Sequence, residues 1–305
     1  MAEAERPAYP SAGETPPETG AAILKRPWDQ DRKSMLQNVL FNLSALMALM
    51  PATLLAYVRD GFRQGKGPDM VFWAVLAVAA AGPLTWAIVQ LDGTWRTGIS
   101  TTLWVSIAAC MVLFTGLCLT TRSGWRLMPL LLPYLLLVGL FATATAEARD
   151  PTLSASAPTV WVDLHIIVSV TTYALLTLAA VSALAAFLQE RALKAKRPTA
   201  LTRMLPPMAD SEQLQGRLLI ASEIVLGLGL ITGMSVLYFE QGILFRVDHK
   251  TVLSVATFVV IGGLLIAHAA TGVRGRRAAR LVLLAFLLLT LGYPGVKFVT
   301  DILIS

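Results

Sequence analysis

Eight long apolar runs, separated by short polar connections, cover the chain from residue 36 almost to its end. Each run reaches the length of about 20 residues that crosses the hydrocarbon core of a bilayer as a helix. Helices are favoured in lipid because they satisfy their own backbone hydrogen bonds. The pattern predicts an all-α, polytopic integral membrane bundle of about eight transmembrane helices. The approximate helix cores are 36–57, 71–91, 98–120, 125–145, 161–189, 214–239, 249–270 and 279–303.

The segment before the first run, residues 1–34, is rich in Pro, Glu, Ala and Gly and has no apolar periodicity. This composition predicts a disordered tail, and the segment lacks the apolar core of a secretory signal. Met35 stands directly before the first run, which suggests the hypothesis that translation starts there. We therefore divide the chain into a tail, residues 1–34, and a transmembrane domain, residues 35–305.

The composition supports a membrane protein and argues against a nucleic-acid partner. Charged residues make up 14% of the chain and hydrophobic residues 55%, whereas a soluble domain has about 25% charged residues. The net charge is +6. The basic residues form short clusters between apolar runs, which is typical of a topology signal rather than of a phosphate-binding surface.

The basic clusters also predict an orientation. Most of them follow the first, third, fifth and seventh runs, and the positive-inside rule assigns those connections to the cytoplasm. Both termini of an eight-helix chain then face outward. The basic residues that precede the first run conflict with this orientation, because the positive-inside rule would keep them in the cytoplasm. A translation start at Met35 would remove the conflict. A seven-helix chain would instead reverse the orientation. Those residues are Lys25, Arg26, Arg32 and Lys33.

The chain has three histidines, and two of them, His165 and His249, stand where an apolar run begins. The predicted topology puts both at the outer membrane face. Neutral imidazole is a common protein ligand for metals and for haem iron. The pair therefore predicts a metal or haem-iron site with His165 and His249 as ligands. The alternative is that both are polar residues of the headgroup layer.

Residues near the two histidines suit a haem group. Ser169, Thr172 and Tyr173 share a helical face with His165, and Trp161 precedes it. Asp248 is placed to cap the seventh helix and to orient the His249 imidazole. Basic side chains at this level suit the haem propionates; they are Arg246, Lys250 and Lys297. Lys297 could equally pair with Asp301.

Other reactive residues lie away from this pair. His268 follows His249 by 19 residues, about 28 Å along a helix, so it cannot share the same iron. It is a separate cofactor-binding candidate, and the alternative is an interfacial histidine beside the arginine cluster. Glu223 is an acid within an apolar run and is a functional candidate, with a pairing to Arg217 or a neighbouring hydroxyl as the alternative. Cys110 and Cys118 lie too far apart on one helix for a disulfide and are expected to be buried hydrophobes.

The sequence has no phosphate loop, HExxH motif, nucleophile elbow or CxxCH haem-attachment site. We therefore expect a protein that is not an enzyme and that binds any haem non-covalently.

From the fifth run onward the chain resembles the cytochrome c assembly protein family, and it is most similar to the small eight-helix branch of HemX- and YpjD-type inner-membrane proteins. The ordered set of motifs carries the resemblance, and similarity around Ser123-Gly124-Trp125 is weaker. The matching segments are Leu164-His165-Ile166 with Ser169 and Tyr173, Leu205-Pro206-Pro207-Met208, Asp248-His249-Lys250-Thr251-Val252-Leu253-Ser254, Gly272-Val273-Arg274-Gly275-Arg276-Arg277 and Gly295-Val296-Lys297-Phe298.

The resemblance implies a multi-pass protein of a bacterial plasma (inner) membrane that takes part in cytochrome c biogenesis and handles haem at the outer face. It implies that His165 corresponds to the family's first external histidine and that His268 is similar to a histidine near the inner end of its helix. Other cytochrome c assembly proteins are the implied partners. The segment 240–248 has no tryptophan, unlike the larger relatives. A scaffold without haem and a single-haem, cytochrome b-like redox protein are the alternatives.

Overall fold

The computed structural model describes residues 27–58, 67–91, 95–146, 157–272 and 275–299, with side chains from Val39 onward in the first helix. Eight helices in this part of the chain are long and apolar enough to cross a membrane. The predicted all-α membrane fold is therefore confirmed. In chain order the helices are α1 (Pro27–Val58), α2 (Met70–Leu91), α3 (Ile99–Thr120), α4 (Met128–Ala144), α5 (Thr159–Ala195), α6 (Ala200–Met204), α7 (Met208–Gln241), α8 (His249–Thr271), α9 (Arg276–Thr290) and α10 (Val296–Phe298).

Residues 38–305 form one compact unit, and residues 1–37 form another. Helix α1 begins at Pro27, so its first turns fall within the segment 1–34, while residues 1–26 lie outside the described residues. Several basic residues used for the orientation also lie outside them, namely Arg59, Arg63, Lys66, Arg149 and Arg274.

Helix α5 is the central helix of the bundle, in contact with α3, α4, α7 and α9. Its buried face is rich in alanine, which lets neighbouring helices approach closely, as membrane helix packing requires. Hydroxyl groups on this face bond within the helix: Thr177 donates to the Tyr173 carbonyl at 2.7 Å and Ser182 to the Leu178 carbonyl at 2.9 Å. These hydroxyl groups are thus satisfied by carbonyls of their own helix.

Four helices, α5, α7, α8 and α9, pack in a ring in which α5 contacts α7, α7 contacts α8, α8 contacts α9 and α9 contacts α5. Helices α5 and α8 therefore stand diagonally across this four-helix group. We call the end of the bundle that carries His165 and His249 the histidine end. The opposite end, which carries residues 196–207 and Arg276, is the arginine end.

The fifth and sixth membrane-spanning helices, α5 and α7, are longer than the apolar runs predicted. Helix α5 continues to Ala195 and α7 begins at Met208, because both extend as amphipathic helices beyond their apolar cores. The connection between them is ordered by side chains that bind its backbone carbonyls. Gln189 Nε2 donates to the carbonyls of Thr202 at 2.8 Å and Pro206 at 3.0 Å. Arg126 Nη2 donates to the Arg203 carbonyl at 2.9 Å.

The last predicted helix is not a continuous α-helix. Helix α9 ends at Thr290 and is followed by a π-helical turn, Leu291–Gly295, before α10. Pro294 lies in this turn and has no N–H to donate, which favours a local change of helical register. The turn packs closely on α8, because a Cβ added at Gly292 would lie 3.0 Å from the Leu253 Cβ.

Candidate functional site

His165 lies near the start of α5, with its imidazole against α7. Its Nδ1 is 3.1 Å from the Thr232 hydroxyl oxygen. A Cβ added at Gly233 would lie 3.0 Å from the His165 Cε1, so the glycine leaves the space that the ring occupies. The side chain is half-buried.

The surroundings of Thr232 favour one tautomer of His165. This hydroxyl donates to the Gly229 carbonyl at 3.1 Å, so its oxygen is left to accept a hydrogen bond. The His165 Nδ1–H is then the donor to Thr232, and Nε2 carries a lone pair. A neutral imidazole oriented in this way by a second group has the chemistry of a metal or haem-iron ligand.

His249 is the first residue of α8 and is exposed. Asp248 caps the helix, as its position predicts, by accepting a hydrogen bond from the Thr251 N–H at 2.8 Å. Burial alone would raise the pKa of the Asp248 carboxyl, but the hydrogen bonds from Thr251 and the charges of Lys250 and Arg246 together lower it. Asp248 is therefore an ionised cap. Within the described residues there is no hydrogen bond between its carboxylate and the His249 imidazole.

The two histidines lie at similar depth, at the same end of the bundle. Helix α7 runs antiparallel to both α5 and α8: Gly233 faces His165, and Gly227 faces Phe258. If the pairing of Gly227 with Phe258 is continued toward the histidine end, His249 stands opposite Val236. Val236 is three residues beyond Gly233. That offset is about 4.5 Å along the helix axis. Helix α7 uses different faces for α5 and α8, and no hydrogen bond joins the two imidazoles in the described part of the chain.

The predicted aromatic residues separate into two places. Trp161 lies at the histidine end, with its ring 6.4 Å from that of Phe239 on α7. Tyr173 lies eight residues from His165, about 12 Å deeper in the bundle. Its hydroxyl is 3.2 Å from that of Tyr134, and its ring is 5.9 Å from that of Tyr293. Tyr173 therefore belongs to a buried tyrosine cluster and not to the immediate surroundings of His165.

The predicted basic residues lie at the histidine end. Arg246 and Lys250 are exposed beside the start of α8. Lys297 is half-buried in α10, after the π-helical turn whose Gly292 approaches the Lys250 carbonyl. Its suggested partner, Asp301, lies outside the described residues. These side chains place positive charge at this end of the bundle.

His268 lies in the last turn of α8, toward the arginine end, and is exposed. Both cysteines are free and buried, as predicted. No group of three or more His, Cys, Asp or Glu side chains suited to a metal ion occurs within the described ranges.

One residue of this end was not predicted from the sequence. Trp95, in the connection between α2 and α3, donates from Nε1 to the Asp163 carboxylate at 2.6 Å. This bond fixes the connection against the first turns of α5, close to His165. The sequence indicated this residue only as a tryptophan in a short loop at the membrane surface. Its acidic partner is 68 residues away in the chain, so the pairing could not be predicted from local sequence.

Comparison with known proteins agrees with this architecture. The sequence model of a family described as "Cytochrome C assembly protein" matches residues 70–304. A 28.8 kDa protein of Azospirillum brasilense, described by its place in a nifR3-like 5′ region, is 63% identical over 271 residues, which cover 89% of this chain and all of the relative. The inner membrane protein YpjD of Escherichia coli K12 is 27% identical over 266 residues, or 85% of this chain and 98% of the relative. No solved structure matches the chain.

Proposed function

Because the chain belongs to the cytochrome c assembly protein family, we propose that it is a haem-handling protein of cytochrome c biogenesis that binds haem at the outer membrane face through His165 and His249. Its eight apolar helices and its similarity to an inner membrane protein make it a multi-pass protein of the inner membrane. Family membership supports the role in cytochrome c biogenesis. The haem site and its location are the proposal.

The observation that carries the proposal is the hydrogen bond between His165 Nδ1 and Thr232, at 3.1 Å. It leaves the Nε2 lone pair free and holds the ring in one orientation. Histidine ligands are commonly oriented by a second group in this way. The room left by Gly233 lets the imidazole take this position without displacing α7.

The surroundings of His165 also support a flat, largely apolar ligand with anionic groups. His249 begins the helix that stands diagonally across the ring of four, and helix bundles build cofactor sites from side chains on facing helices. Trp161 supplies an aromatic surface, and Arg246, Lys250 and Lys297 supply cations for propionates. When bound, haem would supply a redox-active iron whose potential depends on its axial ligands.

The outer location rests on the distribution of charge. The arginine end carries the basic connections between α5 and α7 and between α8 and α9, and the positive-inside rule assigns that end to the cytoplasm. The histidine end then faces outward, where cytochromes c receive their haem.

Optical spectra of the full-length protein with haem test this function. We expect a shifted Soret band in the wild type, its loss in His165→Ala and an altered band in His249→Ala. His268→Ala is the matched control, because its imidazole lies at the arginine end, and its spectrum should equal that of the wild type. Unchanged Soret absorption in the wild type, or equal spectra for all three variants, would contradict haem ligation.

A scaffold that binds no haem is the second candidate. It is favoured by the exposure of His249 and by the short segment 242–248, which contains no tryptophan. A scaffold predicts no haem in the purified protein and no spectral change on adding haem. The same measurements therefore separate the two functions.

A further inference from the structure

Glu223 is an acidic residue within the membrane-spanning part of α7. It lies nine residues from Thr232, about 14 Å deeper along the helix. Its carboxylate faces α8, where Oε1 is 2.9 Å from the position that a Cβ at Gly262 would occupy. His165 faces α7 from the α5 side. Glu223 is therefore separate from the proposed haem site in depth and in the helix face that it uses.

The Glu223 side chain is half-buried, and its two carboxyl oxygens differ in their surroundings. Oε2 is buried and has no hydrogen-bond partner among the described residues. On the same helix, the Ser222 hydroxyl donates to the Leu219 carbonyl at 2.9 Å. On α8, Thr257 donates to the Leu253 carbonyl at 2.8 Å. The Ser222 hydroxyl is thus used within its own helix, and Thr257 lies five residues from Gly262, so neither of these two hydroxyls meets Glu223.

The nearest titratable groups on the adjoining helices lie elsewhere. On α7, Arg217 is exposed and six residues away, about 9 Å along the axis. On α8, His268 is six residues beyond Gly262 and is exposed at the arginine end. On α5, the Tyr173 hydroxyl pairs with Tyr134. No cation of these helices lies at the level of the Glu223 carboxyl group.

An ionised carboxylate within the hydrocarbon layer is costly unless it is paired or hydrated. Between α7 and α8 the carboxyl group has neither a cation nor a donor for Oε2. A neutral acid avoids the charge and fits the space opposite Gly262. Oε2 is enclosed between the packed helices, so a charge on it would be better hydrated if the two helices moved apart.

We propose that Glu223 is a proton-binding site within the bilayer, occupied by a proton while α7 and α8 are packed together. The ligand is a single proton on the carboxyl group, and its loss favours separation of the two helices. This site does not depend on haem binding. Its failure and the failure of the haem proposal are distinguishable, because they are measured on different groups.

Carbodiimide labelling tests the proposal on the full-length protein in lipid nanodiscs. A hydrophobic carbodiimide reacts with protonated carboxyl groups inside membranes, so dicyclohexylcarbodiimide should give one adduct that peptide mapping locates at Glu223. The adduct should be lost in Glu223→Gln. It should persist in Glu190→Gln, the matched control, because Glu190 also has a buried Oε2 but pairs its other oxygen with Lys194. An adduct that persists in Glu223→Gln, or no adduct on wild-type Glu223 at any pH, overturns the proposal.

Infrared spectroscopy provides a second measurement that needs no label. A protonated carboxyl band should appear in the wild type at neutral pH and be missing from Glu223→Gln. Identical carboxyl bands in the two proteins would overturn the proposal.

The position of the carboxyl group can be tested with two adjacent glycines. A Cβ at Gly262 would lie 2.9 Å from Oε1 and force the carboxyl group to move, so the labelling rate of Gly262→Ala should differ from that of the wild type. Gly263→Ala is the control, because a Cβ there meets nothing within 4 Å. Equal labelling rates for the two variants would show that the carboxyl group does not lie opposite Gly262.

Discussion

The hydrogen bond from His165 to Thr232 makes a sharp prediction for Thr232→Val. Valine has nearly the shape of threonine, so the packing between α5 and α7 is kept while the acceptor for Nδ1–H is removed. The imidazole then loses the hydroxyl that orients it, while the Gly229 carbonyl remains as a neighbouring acceptor.

The expected size of the effect follows from the bond that is lost. Removing one partner of a buried hydrogen bond costs about 1–3 kcal/mol. Loss of the group that orients a metal-ligating histidine lowers metal affinity by about 10–100-fold. A 10–100-fold loss of affinity corresponds to about 1.4–2.8 kcal/mol of binding free energy. We therefore expect haem affinity to fall by about 10–100-fold in Thr232→Val.

Haem titration followed in the Soret band measures the affinity, with Thr232→Ser as the matched control. Serine keeps the hydroxyl that accepts from His165 and loses only a methyl group, so its affinity should stay close to that of the wild type. If valine and serine weaken binding equally, the methyl contact rather than the hydrogen bond matters. If neither variant weakens binding, the reasoning about the imidazole is refuted.

Three further predictions concern other parts of the histidine end and the bundle. Asp248→Ala should lower the free energy of unfolding by about 1 kcal/mol through loss of the helix cap. The pKa of the Asp248 carboxyl is lowered in the fold. The stability that the cap contributes should therefore be present near neutral pH and be lost as the pH falls through that lowered pKa. Trp95→Phe and Asp163→Ala should each increase proteolysis of the 91–98 connection, and the double variant should be no worse than either single one. Gly82→Ala should destabilise the bundle by about 1–3 kcal/mol through overpacking, since its Cβ would lie 2.4 Å from a Cβ of α1.

Each of these predictions has a control and an outcome that contradicts it. Asp248→Asn is the control for the helix cap, because it keeps a capping oxygen. If the thermal unfolding of Asp248→Ala remains pH-dependent, the pH dependence belongs to another group. Additive increases in proteolysis would show that Trp95 and Asp163 act separately. Gly116→Ala meets nothing within 4 Å; if it destabilises as much as Gly82→Ala, close approach of α1 and α2 is not the cause.

The number of membrane helices and the position of their cores could be predicted because each span must be apolar over its whole length. The ends of α5 and α7 could not, because Ala195 and Met208 lie in amphipathic extensions that carry charge and leave the lipid. The π-helical turn around Pro294 was also missed, since a proline in an apolar run indicates an irregularity but not its form.

The candidate site could be predicted in part. The type of residue identified His165 and His249, and charge patterning set them at one end of the bundle. The roles of Thr232 and Gly233 depend on the register between α5 and α7, which side-chain packing determines and local sequence does not reveal. Tyr173 was grouped with His165 because the two share a helical face, but a shared face does not remove a separation of two helical turns.

The contacts of Gln189 and Arg126 at the arginine end have a consequence for recognition. Together they hold the backbone of residues 202–206, so the neighbouring Arg203 projects from an ordered connection. The backbone that carries the Arg203 cation is therefore ordered before any partner binds to this surface. Complex formation would lose little backbone conformational entropy there. Substituting Gln189 would then slow recognition without removing a single charge.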